Sequence, residues 1–242
     1  MGVEERRQTG LPVSGVSGPW WEGHPDLLPP DPQLEPLHQR DYQVRAWRID
    51  GSSILIRGAV MDLRPGAPLA ERITAAGGDD DASPLAMHHM VVDIVVEFPA
   101  LTITDARVAF DRHPQPGCPL IGPRYGDLVG LSIARGFTQE VRRLFGGPRG
   151  CTHTTALLQA MGPVAVQCTF AMRRSGAGPH DADTDGRPGS SEPSFMRDTC
   201  HVWSAEGDLW RDVTEGRAVP VPLPIQERLR LAGLDPDRRD VL

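Results

Sequence analysis

The chain has 242 residues, 32 acidic and 25 basic side chains, a formal net charge of −7 and a pI near 5.6. Surfaces that bind nucleic acid need clustered positive charge to displace counterions, so this acidic balance disfavours a nucleic-acid partner. No window approaches the roughly 18 consecutive apolar residues of a membrane-spanning helix, and the charged first residues lack the apolar core of a signal peptide. We therefore expect a cytoplasmic protein with a small-molecule substrate and no membrane partner.

The first half of the chain predicts a sheet. Residues 1–37 carry glycine and proline turn signals without periodicity, which is typical of an irregular, disordered lead-in. Asp50-Gly51 lies between two apolar segments and is a strong hairpin signal. Residues 64–84 are rich in glycine and aspartate, which predicts a mobile insertion. The Val- and Ile-rich segment 88–98 and the alternating segment 101–110 predict further strands, giving an antiparallel sheet of three to four strands.

The second half predicts helices. Apolar residues recur at helical spacing over 128–144 and again over 152–173, where Pro163 is expected to kink or split the helix. Residues 175–193 predict a mobile linker. Residues 205–242 form a Pro-rich C-terminal tail with a small helix at 225–232. Strands followed by helices indicate one α+β domain over 38–204, with the helices packed on one face of the sheet.

The chain has four cysteines, which are candidates for a functional site: Cys118, Cys151, Cys168 and Cys200. Cytoplasmic thiols stay reduced, so these residues are expected to be ligands, nucleophiles or core residues rather than disulfides. Cys168 lies on the apolar stripe of the predicted helix 152–173 and is assigned to the core. Cys200 follows the linker and is assigned to packing, although it could line the site.

The stretch Gly150-Cys151-Thr152-His153 is the leading site candidate. The unpaired amides and dipole of a helix N-terminus favour a thiolate there. Thiolate and imidazole together suit zinc or iron. Cys118, in a loop between two prolines, adds a second thiol. Cys118, Cys151 and His153 would give a metal three ligands and leave one coordination position open, as in catalytic zinc sites.

His88, His89 and Asp62 are the candidates for acid–base chemistry. Adjacent strand residues point to opposite faces, so only one of the two histidines can face a given site. Asp62 ends the second predicted strand and could supply a carboxylate. We expect His88 or Asp62 to act as general base. An ordinary strand-end histidine and a turn-initiating aspartate are the structural alternatives.

A series of short motifs gives the chain a family resemblance over roughly residues 36–204. The motifs are His38-Gln39-Arg40, Arg48-Ile49-Asp50-Gly51, Met61-Asp62, His88-His89-Met90, Ile103-Thr104-Asp105-Ala106, Pro116-Gly117-Cys118, Leu128-Val129-Gly130-Leu131, Gly136-Phe137 and Gly150-Cys151-Thr152-His153. In this order they resemble a bacterial family labelled domain of unknown function 2889. The label implies no activity. The resemblance implies that His88 is the family's histidine and that His89 stands where an acidic residue is expected.

The layout is also distantly similar to the iron–sulfur scaffold fold of the NifU and SufE type. That resemblance places Cys118 on the glycine-cysteine loop, Cys151 with His153 on the later thiol and imidazole, and Asp62 at the acidic end of an early strand. The chain lacks the early strand-end cysteine and has Cys-Thr-His in place of His-Cys. The resemblance therefore implies the fold and a metal pocket rather than cluster assembly.

These observations together predict a zinc or iron enzyme that acts on a small acyl or aromatic metabolite through a Cys/Cys/His pocket. Two alternatives stay open. One is a metal-free enzyme with Cys151 as nucleophile and a histidine as its base. The other is a sulfur or iron–sulfur carrier, a scaffold or a partner-binding domain without catalysis.

Overall fold

A computed structural model describes residues 34–78, 83–173, 197–217 and 219–238. The chain divides into two compact units, Met1–His180 and Asp181–Leu242. Most of the expected lead-in and the whole predicted linker 175–193 lie outside the described residues.

The first unit contains a four-stranded antiparallel sheet in the order β1-β2-β3-β4. Its strands are β1 (Gln39–Arg48), β2 (Ser53–Arg64), β3 (Leu85–Glu97) and β4 (Thr102–Arg112). Asp50 closes the first hairpin, because its Oδ1 accepts hydrogen bonds from the amides of Ser52 and Ser53 at 2.7 and 2.8 Å. The sheet, with the helices that follow it, confirms the predicted α+β class.

The helices of the first unit differ from the prediction in detail. They are α1 (Ala67–Ala75), a 3₁₀ helix (Cys118–Leu128), α2 (Phe137–Phe145), a short 3₁₀ turn (Gly147–Arg149) and α3 (Thr152–Arg173). Helix α1 lies inside the segment 64–84, which was expected to be a mobile insertion. Helix α3 is one element through Pro163, which is exposed.

The second unit contains a 3₁₀ turn (His201–Trp203), α4 (Asp208–Thr214) and α5 (Leu223–Leu231). Helix α5 occupies the place where the Pro-rich tail was expected to form a small helix. Trp210, Val221 and Leu229 are 9%, 2% and 6% exposed. None of the described helices has the length and apolar character that crossing a bilayer requires.

Helix α3 packs directly on β2, and a glycine makes this close approach work. Ile56 and Val60 on the inner face of β2 are fully buried, as are Leu157 and Met161 on the helix. Between the two strand residues lies Gly58, where a Cβ atom would sit 2.7 Å from Met161 Sδ and 2.9 Å from Leu157 Cδ1. The absence of a side chain therefore sets how near the helix lies to the strand.

Substituting Gly58 tests this packing. We expect Gly58→Ala to lower the free energy of unfolding by about 1–3 kcal/mol, because the added methyl overpacks the contact between helix and sheet. Gly126→Ala is the matched control, since a Cβ there meets nothing within 4 Å, and it should change stability by less than about 0.5 kcal/mol. Equilibrium urea denaturation of both variants gives the comparison. Equal stability would contradict the close approach.

Candidate metal centre

Three neighbouring strands place a row of polar side chains at one end of the sheet. Asp62 on β2 is paired with Arg40 on β1 and with His88 on β3. Residues directly opposite each other on adjacent strands share a face, so all three side chains can meet. The pairing of β2 with β3 shifts register just after Asp62, where the row ends.

The N-terminus of α3 brings a fourth side chain to this row. His153 lies one helical turn before Leu157, and residues four apart occupy the same helix face. Because Leu157 packs over Gly58, His153 is carried toward the end of β2 where Asp62 lies. The helix start is anchored, since Thr155 Oγ1 donates a hydrogen bond to the carbonyl of Phe145 at 3.1 Å.

Asp62 is the centre of the site. Its side chain is 1% exposed, and Arg40 pairs with both carboxylate oxygens, Nε to Oδ1 at 2.5 Å and Nη2 to Oδ2 at 2.6 Å. Three imidazoles surround the same carboxylate: His153 Nε2 lies 3.0 Å and His88 Nδ1 3.2 Å from Oδ2, while His38 Nε2 lies 3.5 Å from Oδ1. The hydrogen bonds from Arg40 lower the pKa of Asp62 to about 2, so the carboxylate is ionised at neutral pH.

The two histidines nearest to Asp62 lie against each other. The rings of His88 and His153 stack with centroids 3.9 Å apart. Burial, and after it the neighbouring His88, lowers the pKa of His153. His88 Nδ1 is buried and has no hydrogen-bond partner in the structure, although it faces Asp62. A buried nitrogen without a hydrogen bond is costly, and a metal ion beside Asp62 would satisfy it.

These residues form a group with the geometry of a metal site. Asp62, His88 and His153 each offer one ligand atom, and the three atoms lie within 4.8 Å of one another. Two imidazoles and one carboxylate suit zinc with an open fourth position, and they also suit non-haem iron.

The structure assembles a different set from the one expected at Cys118, Cys151 and His153. Among the described residues, neither thiol belongs to the ligand group. Cys151 Sγ instead lies 3.7 Å from Nδ1 of His153, the ring nitrogen that faces away from Asp62. Cys118 opens the 3₁₀ helix and packs against the hydrophobic core.

The structure also shows the surroundings of the two adjacent histidines and of the two remaining cysteines. His88 faces Asp62, whereas His89 points to the opposite face, with Nδ1 3.5 Å from Asp111 Oδ2. Cys168 packs against the core as expected, and burial raises the pKa of its thiol. Cys200 is exposed.

Sequence reasoning assigned no role to Arg40 or His38. The predicted two-residue turn at Asp50-Gly51 would pair Arg40 with Met61. The observed turn has three residues, 50–52, because the amide of Ile49 donates to the carbonyl of Ser53, and this register pairs Arg40 with Asp62.

The described residues thus define an α+β domain in which sheet and helix bring together an Asp/His/His group able to hold a metal ion. The family described as protein of unknown function (DUF2889) matches residues 38–167. Because these residues make up more than half of the chain, the protein belongs to this family. No curated protein and no solved structure matches it. The matched segment contains Asp62 and its four described partners, Arg40, His38, His88 and His153.

Acid unfolding tests the pairing of Arg40 with Asp62. The folded pKa of Asp62, about 2, is below its ordinary value of 3.8, so the ionised carboxylate stabilises the folded state above about pH 4. This stabilisation, about 2 kcal/mol, should be lost as the pH falls from about 4 to about 2. Chemical denaturation in chelator across this range measures it.

The variant Arg40→Gln isolates the contribution of this one carboxylate. Its unfolding free energy should depend less steeply on pH over the same range, because the cause of the lowered pKa is removed. Asp50 and Glu140, whose pKa values are lowered by hydrogen bonds of their own, contribute equally to both proteins. Parallel pH curves for the two proteins would show that Arg40 does not hold the charge on Asp62.

Proposed function

We propose that this protein is a metal-dependent enzyme that acts on a small acyl or aromatic metabolite, with zinc or iron held by Asp62, His88 and His153. The observation that carries the proposal is the convergence of three ligand atoms within 4.8 Å around a carboxylate that is 1% exposed. A small molecule fits better than a nucleic acid, because the formal net charge of the chain is −7.

The chain's own residues prepare this centre. Arg40 fixes both oxygens of Asp62 and keeps the carboxylate ionised, while burial favours the neutral, ligating form of His153. Three protein ligands leave a position for water or for a substrate oxygen. A zinc or iron ion bound there would polarise a carbonyl or activate a water molecule.

The donor set favours an enzyme over the sulfur or iron–sulfur carrier suggested by the layout of the NifU and SufE type. Iron–sulfur clusters are held mainly by thiolates. In the described ranges the ligand group contains no thiol, and Cys200 belongs to the second unit. A carboxylate with two imidazoles is instead the donor set of hydrolytic zinc sites and of non-haem iron sites.

Metal binding should distinguish the two adjacent histidines. Protein purified without chelator should contain about one equivalent of zinc or iron, as a three-ligand site would hold. His88→Gln should weaken the affinity more than about a hundredfold, since even outer partners of metal ligands contribute tenfold to a hundredfold. His89→Gln is the matched control, because the two side chains are 20% and 22% exposed on the same strand.

Elemental analysis followed by calorimetric titration of stripped protein with Zn²⁺, and anaerobically with Fe²⁺, gives both quantities. The control should bind as the unchanged protein does. Equal affinities in the two variants, or no metal uptake by the unchanged protein, would reject the centre.

A further inference from the structure

The protein groups of the proposed centre already balance one another's charge. In the part of the chain that the structure describes, Asp62 is the one carboxylate in ion-pair contact with Arg40, His88 or His153. Arg40 compensates for this carboxylate by donating hydrogen bonds from Nε to Oδ1 and from Nη2 to Oδ2. The two imidazoles ligate a metal in their neutral form and add no charge. The negative charge that would offset part of a divalent ion is therefore already taken by Arg40.

The other carboxylates on these strands lie on the opposite face of the sheet. Asp41 is one residue from Arg40 and Asp93 is five residues from His88, and alternate residues of a strand point to opposite faces. On its own face Asp93 forms an ion pair at 2.6 Å. Asp111 lies there too, beside the second of the two adjacent histidines. None of these three carboxylates is placed to balance a charge at the centre.

The helix end beside the centre contributes potential of the same sign. Helix α3 has 22 residues and begins one residue before His153. The N-terminus of a helix carries a partial positive charge, and the first turn of α3 contains no acidic residue that would offset it. A divalent ion at the centre would therefore add to positive charge on the helix side as well as on the side of Arg40.

These charges are partly shielded from water. The side chains of His153, His88 and Arg40 are 18%, 20% and 35% exposed, and that of Asp62 is 1% exposed. Partly buried charges are screened by salt much less than exposed ones, and an uncompensated charge in such a place is costly. A ligand that brings negative charge to the open coordination position removes this cost, whereas a neutral ligand does not.

We propose that the substrate of this centre is a small carboxylic acid, bound as its anion at the open coordination position; the inference rests on the proposed metal centre, whose charge the anion balances. Arg40 determines this preference, because it takes up the compensation that Asp62 would otherwise give to the metal. A carboxylate is the anionic form of an acyl group, so an acid belongs to the proposed class of acyl or aromatic metabolites.

Ligand binding to the full chain tests the inference independently of any reaction. Protein stripped of metal and reloaded with Zn²⁺ is titrated calorimetrically with benzoate and with benzamide, which share one ring and differ in charge. Benzoate should bind at least about a hundredfold more tightly than benzamide, because only benzoate balances the charge. Stripped protein, in which Arg40 and Asp62 balance each other, should bind benzoate at least about tenfold more weakly than loaded protein.

Two substitutions at Arg40 separate its charge from its two-point contact with Asp62. Arg40→Gln and Arg40→Lys both lose that contact, but only Arg40→Lys keeps the positive charge. In zinc-saturated protein, Arg40→Gln should lower the affinity for benzoate at least about tenfold relative to that for imidazole, a neutral ligand of the open position. Arg40→Lys should keep the ratio of the unchanged protein. A merely structural role of Arg40 would change both affinities together in both variants.

Arg45→Gln is the matched control for the lost charge. Arg45 lies on the same strand, five residues from Arg40 and on the opposite face. Its substitution removes one positive charge from the chain but none from the surroundings of Asp62. The ratio of benzoate to imidazole affinity should therefore equal that of the unchanged protein.

The outcomes distinguish this inference from the proposed function. Zinc uptake with benzoate bound no more tightly than benzamide, or with a benzoate-to-imidazole ratio that Arg40→Gln leaves unchanged, overturns the inference alone. Where Arg40→Gln takes up no zinc, the comparison of benzoate with benzamide in the unchanged protein decides. A chain that takes up neither zinc nor iron overturns the metal-dependent enzyme, and the inference falls with it.

Discussion

The bidentate ion pair between Arg40 and Asp62 is the interaction on which the rest of the site depends. A carboxylate that is 1% exposed can stay ionised only if opposite charge and hydrogen bonds compensate for lost hydration. Arg40 supplies both, from the neighbouring strand and at 2.5 and 2.6 Å. Removing Arg40 would leave the charge on Asp62 buried without its partner. With its charge and orientation fixed, Asp62 can hold His88 and His153 on one oxygen.

The packing of α3 on β2 brings a helix residue, His153, to the ion pair on the sheet. Gly58 allows the helix to lie directly on the strand, and both helix residues above it are fully buried. This packing of the helix on Gly58 determines the position of the first turn of α3. His153 therefore reaches Asp62 through the geometry of the core rather than through a flexible loop, which is how precise sites are usually supported.

The fold could be read from the sequence because its signals are local. Asp50-Gly51 fixed the first hairpin, and two-residue alternation predicted the other strands. The exact register was not contained in that signal, because a two-residue turn pairs Arg40 with Met61, and only the observed three-residue turn pairs it with Asp62. Helix α1 was harder to recognise, since the glycine and aspartate residues that follow it suggested a loop over the whole segment 64–84.

The group of Asp62, His88 and His153 could not be read in the same way. Cys151 and His153 are close in sequence, which suggested shared ligation, but Cys151 precedes the helix and its sulfur lies near Nδ1 of His153, whereas Nε2 is the nitrogen that meets Asp62. The first turn of α3 therefore directs the imidazole to Asp62 and leaves the sulfur on the other side of the ring. The partners of His153 come from β2 and β3, and only the strand pairing reveals that His88, not His89, is on their face.

The two nitrogen atoms of the His153 ring have different neighbours. One ring nitrogen meets a buried carboxylate and the other meets a thiol, so a change at either nitrogen is felt at the other through a single aromatic system. In metal sites the second nitrogen of a ligating histidine commonly donates to a carboxylate or a carbonyl, which tunes the ligand. In this chain the sulfur of Cys151 takes that position instead, 3.7 Å from Nδ1 of His153.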